Sequence, residues 1–219
     1  MYNWHQPVSA MLNGATIISE ANYGFGPRKI TDGTVLVPRY EKHAPVVNGR
    51  PPIAPLTPDV DGLPDDLPDS LKIVKQFNFA SQDAPVEIGF TKDYGEIFSV
   101  DQGHGWQRDL TQQNRWRRLS PPRLLPDTYM LIRTHDIWEC ELPNGKYVVD
   151  LSIGDSVHEQ SGQNVTVEDV PLFRDVTTPQ GCFAEKSVQI EVRDGRLTLE
   201  IGLEGSQTNT CLNWLRVAK

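Results

Sequence analysis

Val188-Gln189-Ile190-Glu191-Val192-Arg193-Asp194-Gly195-Arg196-Leu197-Thr198-Leu199-Glu200-Ile201 alternates apolar and polar residues on both sides of an Asp-Gly pair. Period-two alternation marks a strand with one buried face. Asp-Gly accepts the positive φ angles of a two-residue turn. Residues 188–203 are therefore expected to form a tight hairpin. A similar unit lies upstream, where Asn144-Gly145 separates Trp138–Leu142 from a run in which Tyr147, Val149, Leu151 and Ile153 alternate with Val148, Asp150 and Ser152. No stretch sustains a helical period, and Asp109–Leu119 is the one candidate for a short helix. Hairpins without helices point to an all-β protein, an antiparallel β-sandwich of about eight or more strands, over residues 71–219.

Residues 1–70 read differently. Ala15–Ser19 and Thr34–Val37 look like one or two strands, too few for a core of their own. They are expected to pack on the main domain. Eight prolines follow: Pro38, Pro45, Pro51, Pro52, Pro55, Pro58, Pro64 and Pro68. Proline donates no backbone hydrogen bond, so residues 38–68 read as an extended surface segment. Its acidic tail, Asp59–Asp69, fits an exposed path.

The net charge of −8 argues against nucleic acid, whose binders carry a basic face. The one dense basic cluster, Arg115, Arg117, Arg118 and Arg123, reads as solvated loop arginines, with an acidic sugar polymer as the anionic partner if they bind one. No apolar run reaches the roughly 18–20 residues of a membrane span. Met1-Tyr2-Asn3-Trp4-His5 has neither the basic head nor the apolar stretch of an export signal. Cys140, Cys182 and Cys211 are too widely spaced for a zinc site, and their odd number leaves at least one thiol free. A Cys182–Cys211 disulfide stays open beside plain core thiols. His104, His135 and His158 form no metal-binding spacing. No GxSxG elbow accompanies the serines near His158.

Leu142-Pro143-Asn144-Gly145 running into Gly154-Asp155 is similar to a mid-domain pattern of galactose-binding-like jelly-roll modules. Gly103-His104-Gly105-Trp106 resembles their glycine–aromatic segment, with histidine in place of tyrosine. Phe77-Asn78-Phe79 resembles their first core strand, and Leu212–Val217 their closing strand, whose asparagine often lies at the ligand end. The resemblance spans about residues 73–217. It is to carbohydrate-binding modules of family 35 type and to the module preceding rhamnogalacturonan acetylesterases. It implies a jelly-roll sandwich that recognises sugar. Such modules often carry a structural calcium held by carboxylates and carbonyls, but no ligand set is legible here.

Sugar sites pair a flat aromatic ring with a few fixed polar groups. Trp106, Trp116 and Trp138 are the candidate rings, with Tyr94 and Tyr129 behind them. Trp138 and Trp214 sit in regular strands and read as core. Trp106, between glycines and charged residues, reads as an exposed platform in a loop. His104, Arg115 and Asn213 complete the expected binding set. The competing chemistry is glycoside hydrolysis by two carboxyl groups roughly 5–5.5 Å or 6.5–9.5 Å apart. Glu139 and Glu141 flank Cys140 on one strand and share a face, with Glu159 and Glu168 as second choices.

The leading expectation is therefore recognition of an extracellular polysaccharide, galactose- or uronate-rich. A β-galactosidase-like hydrolase using a glutamate pair is the alternative. A structural extracellular matrix protein is the third.

Overall fold

The computed structural model describes residues 72–119 and 125–219, together with the backbone of four N-terminal strands. Those four are β1 (Ser9–Leu12), β2 (Ala15–Ile18), β3 (Arg28–Lys29) and β4 (Val35–Pro38). The main body follows with β5 (Ile73–Phe79), β6 (Thr91–Asp93), β7 (His104–Trp106), β8 (Asn114–Trp116), β9 (Thr128–Ile132) and β10 (His135–Glu141). It closes with β11 (Gly145–Gly154), β12 (Gln160–Val167), β13 (Val170–Thr178), β14 (Cys182–Val192), β15 (Arg196–Gly202) and β16 (Thr210–Ala218).

The described residues are all-β and contain no helix, and two sheets form a sandwich. One sheet has five strands in the order β13-β12-β15-β10-β7. The other has nine, with β3-β4-β14-β11-β16-β5-β6 along its main path and β9 and β8 branching from β16. Strand pairing is antiparallel except for the short parallel contact of β5 with β6, and an isolated parallel bridge joins Ile97 to Trp106. Between the sheets lie the alternating residues read from the sequence: Tyr147, Val149, Leu151 and Ile153 from one side, Leu197, Leu199 and Ile201 from the other, all buried in one cluster. Each such side chain contributes roughly 1.5–3 kcal/mol when fully buried.

The two turn signals behave otherwise than expected. Asp194-Gly195 does not close a hairpin: β14 pairs with β11 and β4 in the nine-stranded sheet, while β15 pairs with β10 and β12 in the five-stranded one. Asn144-Gly145 likewise carries the chain from β10 in one sheet to β11 in the other. Both are arches that cross the core at one end of the sandwich. Gly195 takes φ +86°, and Asp194 Oδ1 accepts the Arg196 amide at 3.1 Å. The arches are stitched together, since Asn144 Nδ2 donates to Arg193 O at 2.8 Å and the Leu142 amide to Gly195 O at 3.0 Å. A two-residue hairpin does occur where the sequence reads as a polar loop. Glu168 and Asp169, at φ +47° and +61°, join β12 to β13 with Val167 opposite Val170. Positive φ at both central residues is the backbone such a turn needs, here reached without glycine.

The expected helix at Asp109–Leu119 is a turn followed by β8. Asp109 Oδ1 accepts the Thr111 amide at 2.8 Å, which fixes that turn locally. At the N-terminal side, β4 pairs with Cys182–Glu185 of β14, so this strand adds to the sandwich sheet. Of the proline-rich segment only Pro38 is described, ending β4 opposite Cys182; the expectation for the rest falls outside the described residues. All three cysteines are free thiols.

Candidate functional site

Trp106 corrects the sequence reading most sharply. It lies in β7, pairs with Trp138 of β10 and is 0% exposed. Gly105 explains the burial. A Cβ there would stand 2.6 Å from the Phe98 backbone, so the glycine lets the segment before β7 close over it. The Trp106 indole N–H donates to Asp93 Oδ1 at 2.9 Å and that of Trp138 to Oδ2 at 2.7 Å, with the Gly95 amide on Oδ1 at 3.0 Å. Asp93 is itself buried. Burial pushes its carboxyl above the ordinary range, against the pull of the two indoles, the amide and His104. His104 stands beside this group, its ring 4.9 Å from that of Phe77 and Nε2 3.9 Å from Asp93 Oδ2. Nδ1 lies 3.0 Å from Gln102 O, which can only accept, so Nδ1 carries the proton.

Asn213 is also no surface contact. It is wholly buried, and its Nδ2 donates to Thr128 O at 3.0 Å and Gly154 O at 3.2 Å, tying β16 to β9 and β11. Arg115 Nη1 turns back to the carbonyls of Asn114 and Gln112, at 2.7 and 3.2 Å. Glu139 and Glu141 do share one face of β10, opposite the face that buries Trp138 and Cys140. Arg196 Nη1 donates to Glu139 Oε2 at 3.1 Å. Glu159 is exposed in the turn after β11, and Glu168 in the β12–β13 turn accepts the Thr198 amide at 2.6 Å. The four glutamates thus sit on three separate elements.

A different group gathers at the end of the sandwich opposite the arches. Arg117, just after β8, reaches Asp155, just after β11. Its Nε donates to Asp155 Oδ1 at 2.9 Å and its Nη2 bonds Oδ2 and the Tyr129 hydroxyl. Tyr129 OH donates to Asp155 Oδ2 at 3.0 Å, and the Val157 amide to Oδ1 at 2.9 Å. Burial pushes the Asp155 carboxyl up, but the Arg117 bonds, the Val157 amide and Tyr129 outweigh it and hold it below the ordinary value.

This inward anchor divides its neighbours. Trp116 and Arg118 flank Arg117, and the Arg118 guanidinium lies over the Trp116 ring, 4.1 Å from its centroid. Arg118 takes φ +51°, an uncommon backbone for a side-chain-bearing residue. Its guanidinium pairs with Asp83 from the β5–β6 loop, and both side chains are 61% exposed. Ser81 donates to Asp83 Oδ1 at 2.8 Å, and this bond, together with Arg118, lowers the Asp83 carboxyl. The result is a ring, a cation and a carboxylate at a solvent-facing loop end. Of the residues expected to bind, the structure places Trp116 here. Arg118 and Asp83 lie 35 positions apart, and no local pattern of sequence joins them.

Comparisons bear on the fold. No family model and no curated protein matches the sequence. Among solved structures, the Bacillus subtilis protein YxiM superposes with a TM-score of 0.51 at 23% identity, over 68% of this chain and 40% of that one. The Arabidopsis thaliana ANXUR2 extracellular domain gives a TM-score of 0.46 at 16% identity, over 68% and 49%. The plant receptor-like kinase FER gives 0.46 at 13%, over 65% and 41%. This chain spans less than half the length of each of these structures. The likeness to YxiM supports the fold alone.

Proposed function

We propose that this chain is a carbohydrate-recognition module for an extracellular polysaccharide, with uronate-bearing sugar bound at Trp116, Arg118 and Asp83. The observation that carries the reading is the Arg118 guanidinium stacked on Trp116 and held in a left-handed backbone at an exposed loop end. A sugar acid offers a carboxylate, which a guanidinium engages through two parallel hydrogen bonds. It also offers C–H faces that pack on an aromatic ring. Asp83 supplies an acceptor for ring hydroxyls and gives up the guanidinium when the sugar carboxylate arrives. Ordering costs are low because Arg117–Asp155 already fixes the backbone on which both groups stand.

Calorimetry with oligogalacturonides, alongside a neutral galactan fragment, tests this. Trp116→Ala is expected to weaken binding by roughly 1–3 kcal/mol, by analogy with loss of a stacking aromatic. Arg118→Ala is expected to remove about 1.5–3 kcal/mol and the preference for the acidic sugar. Its melting temperature should barely move, since exposed ion pairs contribute little. Equal affinity of both variants and the parent protein for the acidic oligomer would place the site elsewhere. Turnover of aryl glycosides would replace recognition by hydrolysis as the function.

A further inference from the structure

A groove of about 360 Å³ opens between the edge strands of the two sheets, lined by Ile73–Phe77 of β5, by Gly89 and Thr91, and by Gln102 and His104. Five consecutive residues of one strand line it. Successive side chains point to opposite faces of a sheet, so a groove touching all five runs along the strand's edge and not over a face. β6 pairs only with Phe77–Phe79. Ile73–Gln76 therefore have no strand on that side among the described residues; Gln76 Nε2 merely reaches Gly89 O at 2.7 Å.

Unpaired strand edges are ready templates for another strand, and folded proteins blunt them. Among the described residues no strand covers this one: Ile73 and Val74 are 41% and 44% exposed, and Ile88 on the adjoining loop is 79% exposed. The lining includes Lys75 and His104 and no carboxylate, on a protein of net charge −8. Of the nearby acids, Asp93 is buried behind His104, Glu96 accepts Gln102 Nε2 at 2.8 Å, and Glu141 lies against Gly103 on the β7 side of the groove.

We infer that the open edge of β5, Ile73–Gln76, docks an extended peptide of alternating apolar and acidic residues by strand addition. The backbone of the incoming strand continues the nine-stranded sheet past β5. Its apolar side chains cover Val74 and the neighbouring Ile88 on one face, and its carboxylates meet Lys75 on the other. Strand addition derives affinity from main-chain hydrogen bonds and specificity from alternate side chains. This site is distant from the Trp116 loop end and independent of the sugar reading.

The test is amide NMR on the full chain titrated with a blocked hexapeptide alternating valine and aspartate. Shifts are expected at Ile73–Gln76, Gly89 and His104, with slowed hydrogen exchange at the β5 edge amides. The same peptide N-methylated at alternate residues is expected to lose at least tenfold in affinity, as is the valine–lysine version. Lys75→Glu should reverse the preference between the acidic and basic peptides. The inference is overturned if the N-methylated peptide binds as well as its parent. It is equally overturned if shifts fall outside the groove, if an oligogalacturonide produces the same shifts, or if β5 amides are protected only as the protein self-associates.

Discussion

Trp106→Ala is expected to destabilise the domain by roughly 3–5 kcal/mol, the usual cost of truncating a buried tryptophan. Two things are lost together. One is the ring, packed edge-on to Phe79 with centroids 5.9 Å apart. The other is a donor to a buried carboxyl group. Since whole domains are stable by only about 5–15 kcal/mol, a large share of the molecules would unfold at modest urea. Trp106→Phe separates the parts: it keeps most of the ring and removes the N–H, for about 1.5–3 kcal/mol. The pH dependence identifies the carboxylate. Burial already raises Asp93, so the folded chain keeps a proton that the unfolded chain releases near pH 3.9. Stability contributed by this group therefore falls as pH rises from about 4 through the raised folded value. Without the Trp106 donor the carboxyl rises further and the fall extends to higher pH. Urea unfolding of both variants at pH 4 and pH 7 checks this. A loss below about 1 kcal/mol for Trp106→Ala, with a binding defect, would return this ring to the ligand surface.

Asp155→Ala is expected to cost roughly 3 kcal/mol, the lower end of what removing one partner of a buried ion pair costs. The lower end applies because the Arg117 side chain stays 23% exposed and can turn to water. Tyr129 OH and the Val157 amide lose their acceptor as well. Sugar affinity should fall with stability, because Arg117 no longer pins the backbone between Trp116 and Arg118. Asp155→Asn keeps an oxygen for the amide and separates hydrogen bonding from charge. The parent protein carries the same signature in pH. The Asp155 carboxyl is depressed when folded, so its stabilisation is complete above the unfolded value of about 3.9 and is lost as pH falls through the lower folded value. Acid unfolding followed by tryptophan fluorescence should show that step, and Asp155→Asn should lack it. An unchanged acid transition in that variant would contradict the assignment.

The strands and their inward residues were legible in the sequence. Tyr147, Val149, Leu151 and Ile153 are buried as their spacing requires, and so are Leu197, Leu199 and Ile201. But Val148, Asp150 and Ser152 between the first set are buried as well, and Leu203, the next in the second alternation, lies past β15 and is exposed. Glu139 and Glu141 share a face for the same reason. The turn positions were legible too, since Asp194-Gly195 and Asn144-Gly145 do reverse the chain. What period-two alternation cannot express is which sheet a strand joins. The inner faces of both sheets look at one core, so a hairpin within a sheet and an arch between sheets demand the same pattern of apolar residues. Only the competition among all strands for partners sent β14 and β15 to opposite sides. The same limit hid the loop-end site. Arg117 and Asp155 stand 38 residues apart, and Arg118 and Asp83 stand 35 apart. No local pattern links them. It also misplaced Trp106, because glycines that favour an open loop when read locally serve here to let one backbone close against another. Local sequence determined which residues turn inward and where the chain bends. The pairing of distant segments decided which polar groups meet, because that pairing depends on surfaces that exist only once the sheets have formed.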